Sequence, residues 1–237
     1  MKITKFPQSN FLIEKEKTRI LIDPGIFTFE KFTKDDFGKI DAIFLTHQHL
    51  DHLDLEAIEY WVNKNIPIFG NSDVKQILKK QSIETKEVKS RSEFAVGDFI
   101  IKPIDLAHCK LLFCSKCDSI IFANLTLEKK CSLHIDLEPK QIDGPPNTGF
   151  LINDLFFHPG DGMEIWNLTV ETAGIPIAGP TINFENAWNL AKSLKAKVIV
   201  PMHYSSPKFP ADPREFAKEN TIGIEVKILN DGESTNL

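Results

Sequence analysis

The sequence predicts an α/β fold in which two mixed β-sheets pack face to face and carry helices on their outer faces, a four-layer αββα sandwich. Three observations lead there. Strand-rich and helix-rich segments occur in both halves of the chain, apolar runs of strand length look buried on both faces, and 237 residues with 42% hydrophobic content can fill a substantial core. No short-period repeat, low-complexity tract or Pro/Gly/Ser linker divides the chain, so residues 1–237 read as a single domain.

The elements follow in order. Phe11–Glu14 and Arg19–Ile22 read as strands joined by a charged turn, the second running into Asp23-Pro24-Gly25. Asp41–Thr46 is an apolar run that ends directly in His47. Leu55, Ile58, Tyr60, Trp61 and Val62 have helical spacing within Asp54–Lys64, and Ser72-Asp73 is the expected cap of a second helix carrying Val74, Ile77 and Leu78. Phe94–Leu106 reads as one or two strands around Gly97-Asp98, and Gly149–Ile152 and Leu155–Phe157 flank Asn153-Asp154 as a hairpin does. Phe184, Ala187, Trp188, Ala191 and Leu194 share a helical face, Lys197–Val200 is a strand before His203, and a helix near Pro213–Lys218 and a strand near Ile224–Ile228 close the fold. Trp61 and Trp188, on apolar faces, belong to the core.

Charge and composition narrow the function. With 33 acidic and 28 basic residues the net charge is -5, and no basic stripe suits a nucleic-acid backbone. The N-terminus lacks the apolar stretch of a signal peptide and no segment approaches a membrane span, so a soluble, cytoplasmic enzyme is the expectation. The four cysteines, Cys109, Cys114, Cys117 and Cys131, crowd into one region, unlike a secreted disulfide scaffold, and reduced thiols are expected.

Chemistry concentrates in His47-Gln48-His49-Leu50-Asp51-His52, three imidazoles and a carboxylate within six positions after a buried strand. Neutral imidazole and carboxylate are the donors that zinc and related divalent ions prefer, and ligands this dense can face neighbouring ions. His47 and His49 are expected to hold one ion, Asp51 and His52 the other.

This pattern resembles the metallo-β-lactamase superfamily, whose His-x-His-x-Asp-His hallmark is intact here. The resemblance implies further residues in order along nearly the whole chain. In His158-Pro159-Gly160-Asp161, Asp161 would bridge both metals; His203, after Val198–Met202, would complete the second site; Asp23 would support the ligands from behind. His158 itself is expected to be structural. Pro145–Ile152 and His158–Asp161 look most like the ascorbate-phosphate-lactonase-like metal-dependent hydrolases. The third ligand of the first metal has two candidates, and strand-end placement prefers His108 over His134.

Relative to the family pattern, residues from about 109 to 134 form a Cys-containing insertion. Cys114-x-x-Cys117 with Cys131-x-x-His134 has the spacing of a zinc knuckle; reduced, partly buried thiols are the preferred reading.

The resemblance implies a hydrolase with two divalent ions, zinc preferred over manganese or iron, that supplies hydroxide at neutral pH, with Asp51 orienting it or relaying a proton. The expected substrate is a small lactone, ester or phosphodiester, with a phosphorylated or acidic metabolite favoured, and a homo-oligomer is compatible with the sequence. Two alternatives stand beside it. A nuclease would need a basic cleft, and a non-hydrolytic metal or redox module would carry iron.

Overall fold

The computed structural model describes residues 1–121, 126 and 128–237. Two mixed sheets, each of seven strands among the described residues, form its centre. The N-terminal sheet runs in space Ser234–Asn236, Lys2–Lys5, Phe11–Lys15, Thr18–Ile22, Ala42–Leu45, Ile68–Gly70, Lys86–Glu87. Its first four strands pair antiparallel and the rest parallel. The C-terminal sheet runs Glu225–Val226, Val198–Met202, Thr172–Pro176, Phe156–His158, Thr148–Ile152, Phe99–Asp105, Phe94–Val96. It is parallel as far as Phe156–His158 and antiparallel beyond.

Three apolar layers hold the sandwich together. Phe11, Phe44, Phe99, Phe150 and Phe156 fill the space between the sheets, with Phe44 against Phe150 edge to face at 5.1 Å. Trp61, Leu78 and Phe37 pack helices Leu55–Val62 and Ser72–Lys80 outside the N-terminal sheet. Trp188 and Phe216, stacked at 4.4 Å, pack helices Phe184–Ser193 and Pro213–Lys218 outside the other. Each such large side chain contributes about 1.5–3 kcal/mol by leaving water. Both tryptophans are core, as their helical spacing implies.

Turn chemistry sets the registers. Asn153 and Asp154 both adopt positive φ, 51° and 56°, and close the Thr148–Ile152/Phe156–His158 hairpin with Ile152 opposite Phe156. That is the backbone a tight two-residue turn demands, and Asn and Asp tolerate it. Two expectations change. Lys2–Lys5 is a strand the sequence reading passed over. The cap of helix Ser72–Lys80 is Asn71, not Ser72 or Asp73: its Oδ1 accepts N–H bonds from Asp73 and Val74 at 3.1 and 3.0 Å. Asn71 also donates from Nδ2 to the carbonyls of Thr46 and Pro146, each at 3.1 Å, tying the helix start to the residue before His47. No helix among the described residues is long and apolar enough to cross a membrane.

The parallel strands carry the chemistry at their C-terminal ends, where open α/β sheets place ligands. Ala42–Leu45 leads to His47, Phe156–His158 to Asp161, and Val198–Met202 to His203. These interior strands of the two sheets thereby deliver residues distant in sequence to one end of the sandwich.

Candidate metal centre

The seven residues singled out by sequence converge into two adjoining groups. His47, His49, His108 and Asp161 form one; Asp51, His52 and His203 form the other, and within each group the potential ligand atoms lie within 4.8 Å of one another. His47 Nε2 is 3.1 Å from His49 Nδ1 and 3.2 Å from His108 Nε2. Tetrahedral coordination with metal–nitrogen bonds of about 2.0–2.1 Å places nitrogen atoms about 3.3 Å apart, so these two separations are close to edges of such a tetrahedron. In the second group His203 Nε2 is 3.1 Å from Asp51 Oδ2.

Asp161 joins the groups. Its Oδ1 lies 3.2 Å from His52 Nε2, and its Oδ2 lies 3.2 Å from His203 Nε2 and 3.7 Å from His108 Nε2. His52 Nε2 and Asp161 Oδ1 are buried and make no hydrogen bond, so their donor and acceptor capacity faces the space between the groups. Buried polar atoms are rarely left in that condition without a ligand to satisfy them. The donor set of five imidazoles and two carboxylates fits two divalent ions of the zinc type.

Hydrogen bonds behind the groups fix which ring nitrogen each histidine presents. A carboxylate or carbonyl oxygen can only accept, so His52 Nδ1 donates to Asp23 Oδ2 at 2.7 Å, His108 Nδ1 to the Cys109 carbonyl at 2.6 Å, and His203 Nδ1 to the Ala178 carbonyl at 2.6 Å. Thr46 Oγ1 donates to Asp23 Oδ2 at 2.7 Å and therefore accepts from His47 Nδ1 at 3.0 Å. In all four rings Nε2 is left to point inward. Asp23, fully buried at φ 49°, thus orients one imidazole from each group, directly and through Thr46.

Burial and neighbouring charge shape the electrostatics. Burial pulls His47 well below the ordinary imidazole value and His49 down to about 4. Burial also works against charge on His203, but Asp161 and Asp51 outweigh it and raise the group to about 10. Burial disfavours an ionised Asp161, and His203 and His52 reverse this, holding it well below the usual carboxylate range. Asp161 and Asp51 are thus held as carboxylates paired with His203 and His52, ligands a cation can engage in place of the protons.

Some contributors were not visible in the sequence. Gln8, at φ 61°, donates from Nε2 to Asp51 Oδ2 at 3.1 Å, and its Oε1 accepts from the N–H groups of Ser205 and Ser206 at 2.8 and 3.1 Å. It clamps the His203 loop to Asp51. Asn147 accepts the Asp161 N–H at 3.2 Å and donates to the Pro159 carbonyl at 2.8 Å. Gly160, at φ 60°, leaves room for this: a Cβ there would lie 2.3 Å from Asn147 Oδ1 and 2.7 Å from Thr46 Oγ1. A lone Gln or Asn carries no spacing signal, whereas Gly160 sits inside the quoted His158–Asp161 motif.

His158 lies outside both groups, donating from Nε2 to the Ser9 carbonyl at 2.7 Å and accepting the Gly160 N–H at 3.2 Å. His134 also lies elsewhere, with Cys114, Cys117 and Cys131. A cavity of about 330 Å³ opens onto the centre, reached by His49, Asp51, His108, Asp161 and His203 and walled by Ile26, Phe27, Leu50, Leu111, Pro180 and Phe209, with Lys208 at its edge.

Known proteins share this plan. The β-lactamase superfamily domain matches residues 2–203. A UPF0173 metal-dependent hydrolase of Nanoarchaeum equitans is 27% identical over the whole of both chains. One from Oenococcus oeni is 29% identical over 95% of this chain and 96% of its own. Among solved structures, Igni18, a metallo hydrolase from Ignicoccus hospitalis, superposes with a TM-score of 0.69 at 22% identity, covering 99% of this chain and 97% of that one, a likeness of fold.

Proposed function

Because the chain belongs to the metallo-β-lactamase superfamily, we propose that it is a two-metal hydrolase of a small lactone, ester or phosphodiester. The observation that carries this reading is the double contact of Asp161, one carboxylate oxygen toward His52 and the other toward His203 and His108. A carboxylate so disposed could be shared by two cations. Zinc suits the mixed imidazole–carboxylate donors best, with manganese or iron as the alternatives.

When bound, such a pair lowers the pKa of water and polarises a substrate oxygen. The chain's own groups do the rest. His47, His49 and His108 would hold one ion and Asp51, His52 and His203 the other, with Asp161 shared. Asp51, fixed by Gln8 and His203 and reaching the cavity, is the group to orient the attacking water and take its proton. The apolar walls exclude bulk water and strengthen every charge interaction inside. A volume of about 330 Å³ admits a small organic molecule, and the Lys208 ammonium at the edge suits an acidic or phosphorylated one.

The test is metal analysis of the purified protein followed by a turnover screen of lactones, phosphodiesters and thioesters with zinc, manganese and iron. Metal-dependent turnover lost on chelation supports the reading. A protein that binds one metal or none at these residues overturns it.

A further inference from the structure

Cys114, Cys117, Cys131 and His134 take no part in the centre described above, yet the structure gathers them. All four potential ligand atoms lie within 4.8 Å of one another. Cys117 Sγ is 3.7 Å from Cys131 Sγ, and His134 Nδ1 is 3.6, 3.0 and 3.7 Å from the sulfurs of Cys114, Cys117 and Cys131. Zinc bonds of about 2.3 Å to sulfur and 2.0–2.1 Å to nitrogen give tetrahedron edges of about 3.8 Å between sulfurs and about 3.6 Å from sulfur to nitrogen. Three of the four measured separations fall on those edges. All the cysteines are free, and a sulfur pair at 3.7 Å is far from a disulfide.

We propose that these four residues bind a structural zinc ion, distinct from the catalytic pair, that fastens the segment around it to the wall of the catalytic cavity. The local structure is built for this. Cys114 ends the strand Leu111–Cys114, which pairs with Ser119–Ile120 and Lys140–Ile142. Among the described residues, Leu112, Cys114, Ile121 and Cys131 form an apolar cluster beside the four ligands, with Cys117 packed against it. Four protein ligands without a carboxylate leave no open position, which marks the ion as structural.

The connection to the active site is direct. Leu111, on the same strand as Cys114, lines the catalytic cavity. Lys129 donates to the carbonyls of Gly179 and Ile182 at 3.0 and 3.4 Å, gripping the loop whose Ala178 carbonyl orients His203. The ion would brace both.

The full chain is tested by zinc stoichiometry and by cobalt(II) substitution. Since neither catalytic group contains a thiolate, a sulfur-to-cobalt charge-transfer band reports the Cys site alone. We expect that band in the wild type and in Asp51→Ala, whatever the fate of hydrolysis, and expect Cys117→Ser/Cys131→Ser to lose the band together with one zinc per chain. Should the double variant fail to fold, the wild type still decides the matter through thiol titration: zinc-loaded thiols react slowly with a thiol reagent and quickly after chelation. No cobalt band, thiols indifferent to chelation, or a Cys117–Cys131 disulfide in freshly purified protein overturns the proposal.

Discussion

Asp23→Asn is the most incisive perturbation, because Asp23 touches no expected metal ligand except from behind. Its carboxylate accepts from His52 Nδ1, Thr46 Oγ1 and Thr46 N at 2.7, 2.7 and 2.8 Å and is completely buried. An amide of nearly the same volume has one acceptor atom for these donors, and its NH2 must face one of them. If the NH2 faces His52, the ring is driven to the tautomer with its proton on Nε2, the atom that should ligate. A hydrogen bond to a charged acceptor is worth about 1.5–3 kcal/mol. Losing such support costs roughly 10–100-fold in metal affinity, which is about 1.4–2.7 kcal/mol. The loss should appear for both ions, since Thr46 passes the contact on to His47. A competitive chelator titration measures it, with circular dichroism checking the fold. Wild-type affinity and stoichiometry in Asp23→Asn would refute the claim that this carboxylate sets the imidazole tautomers.

Three further outcomes are expected. Asp51→Ala and His52→Ala should abolish turnover while leaving the circular dichroism spectrum largely intact; undiminished turnover in both would count decisively against the two-metal reading. Gly160→Ala should destabilise by at least about 1–2 kcal/mol from the left-handed backbone alone, with the crowding of Asn147 and Thr46 added, and an unchanged urea midpoint would contradict that. His203, raised to about 10 when metal-free, carries a proton at neutral pH that ligation at Nε2 must displace, so metal uptake should release protons and weaken as pH falls. Calorimetry in buffers of different ionisation enthalpy reads this directly, and a heat independent of buffer would exclude it.

The sequence alone determined the layered α/β fold and the His47–His52 cluster. Alternating patterns are local consequences of burial, and a run of ligands this dense has few structural uses. Asp161 and His203 were indicated only through the resemblance to the metallo-β-lactamase pattern, which implies ligands at those places along the chain. Strand-end placement prefers His108 over His134, and only the tertiary structure shows that His108 lies beside His47 while His134 lies with the cysteines. The same limit hid Gln8 and Asn147, whose partners lie across the chain and whose side chains carry no periodic signal. It also governed the cysteines: spacing allows a knuckle as well as reduced, partly buried thiols, and only the fold shows that three sulfurs and an imidazole lie together. Spacing fixes how far apart ligands can be, whereas the rotation of each side chain about its own strand or turn fixes whether they meet.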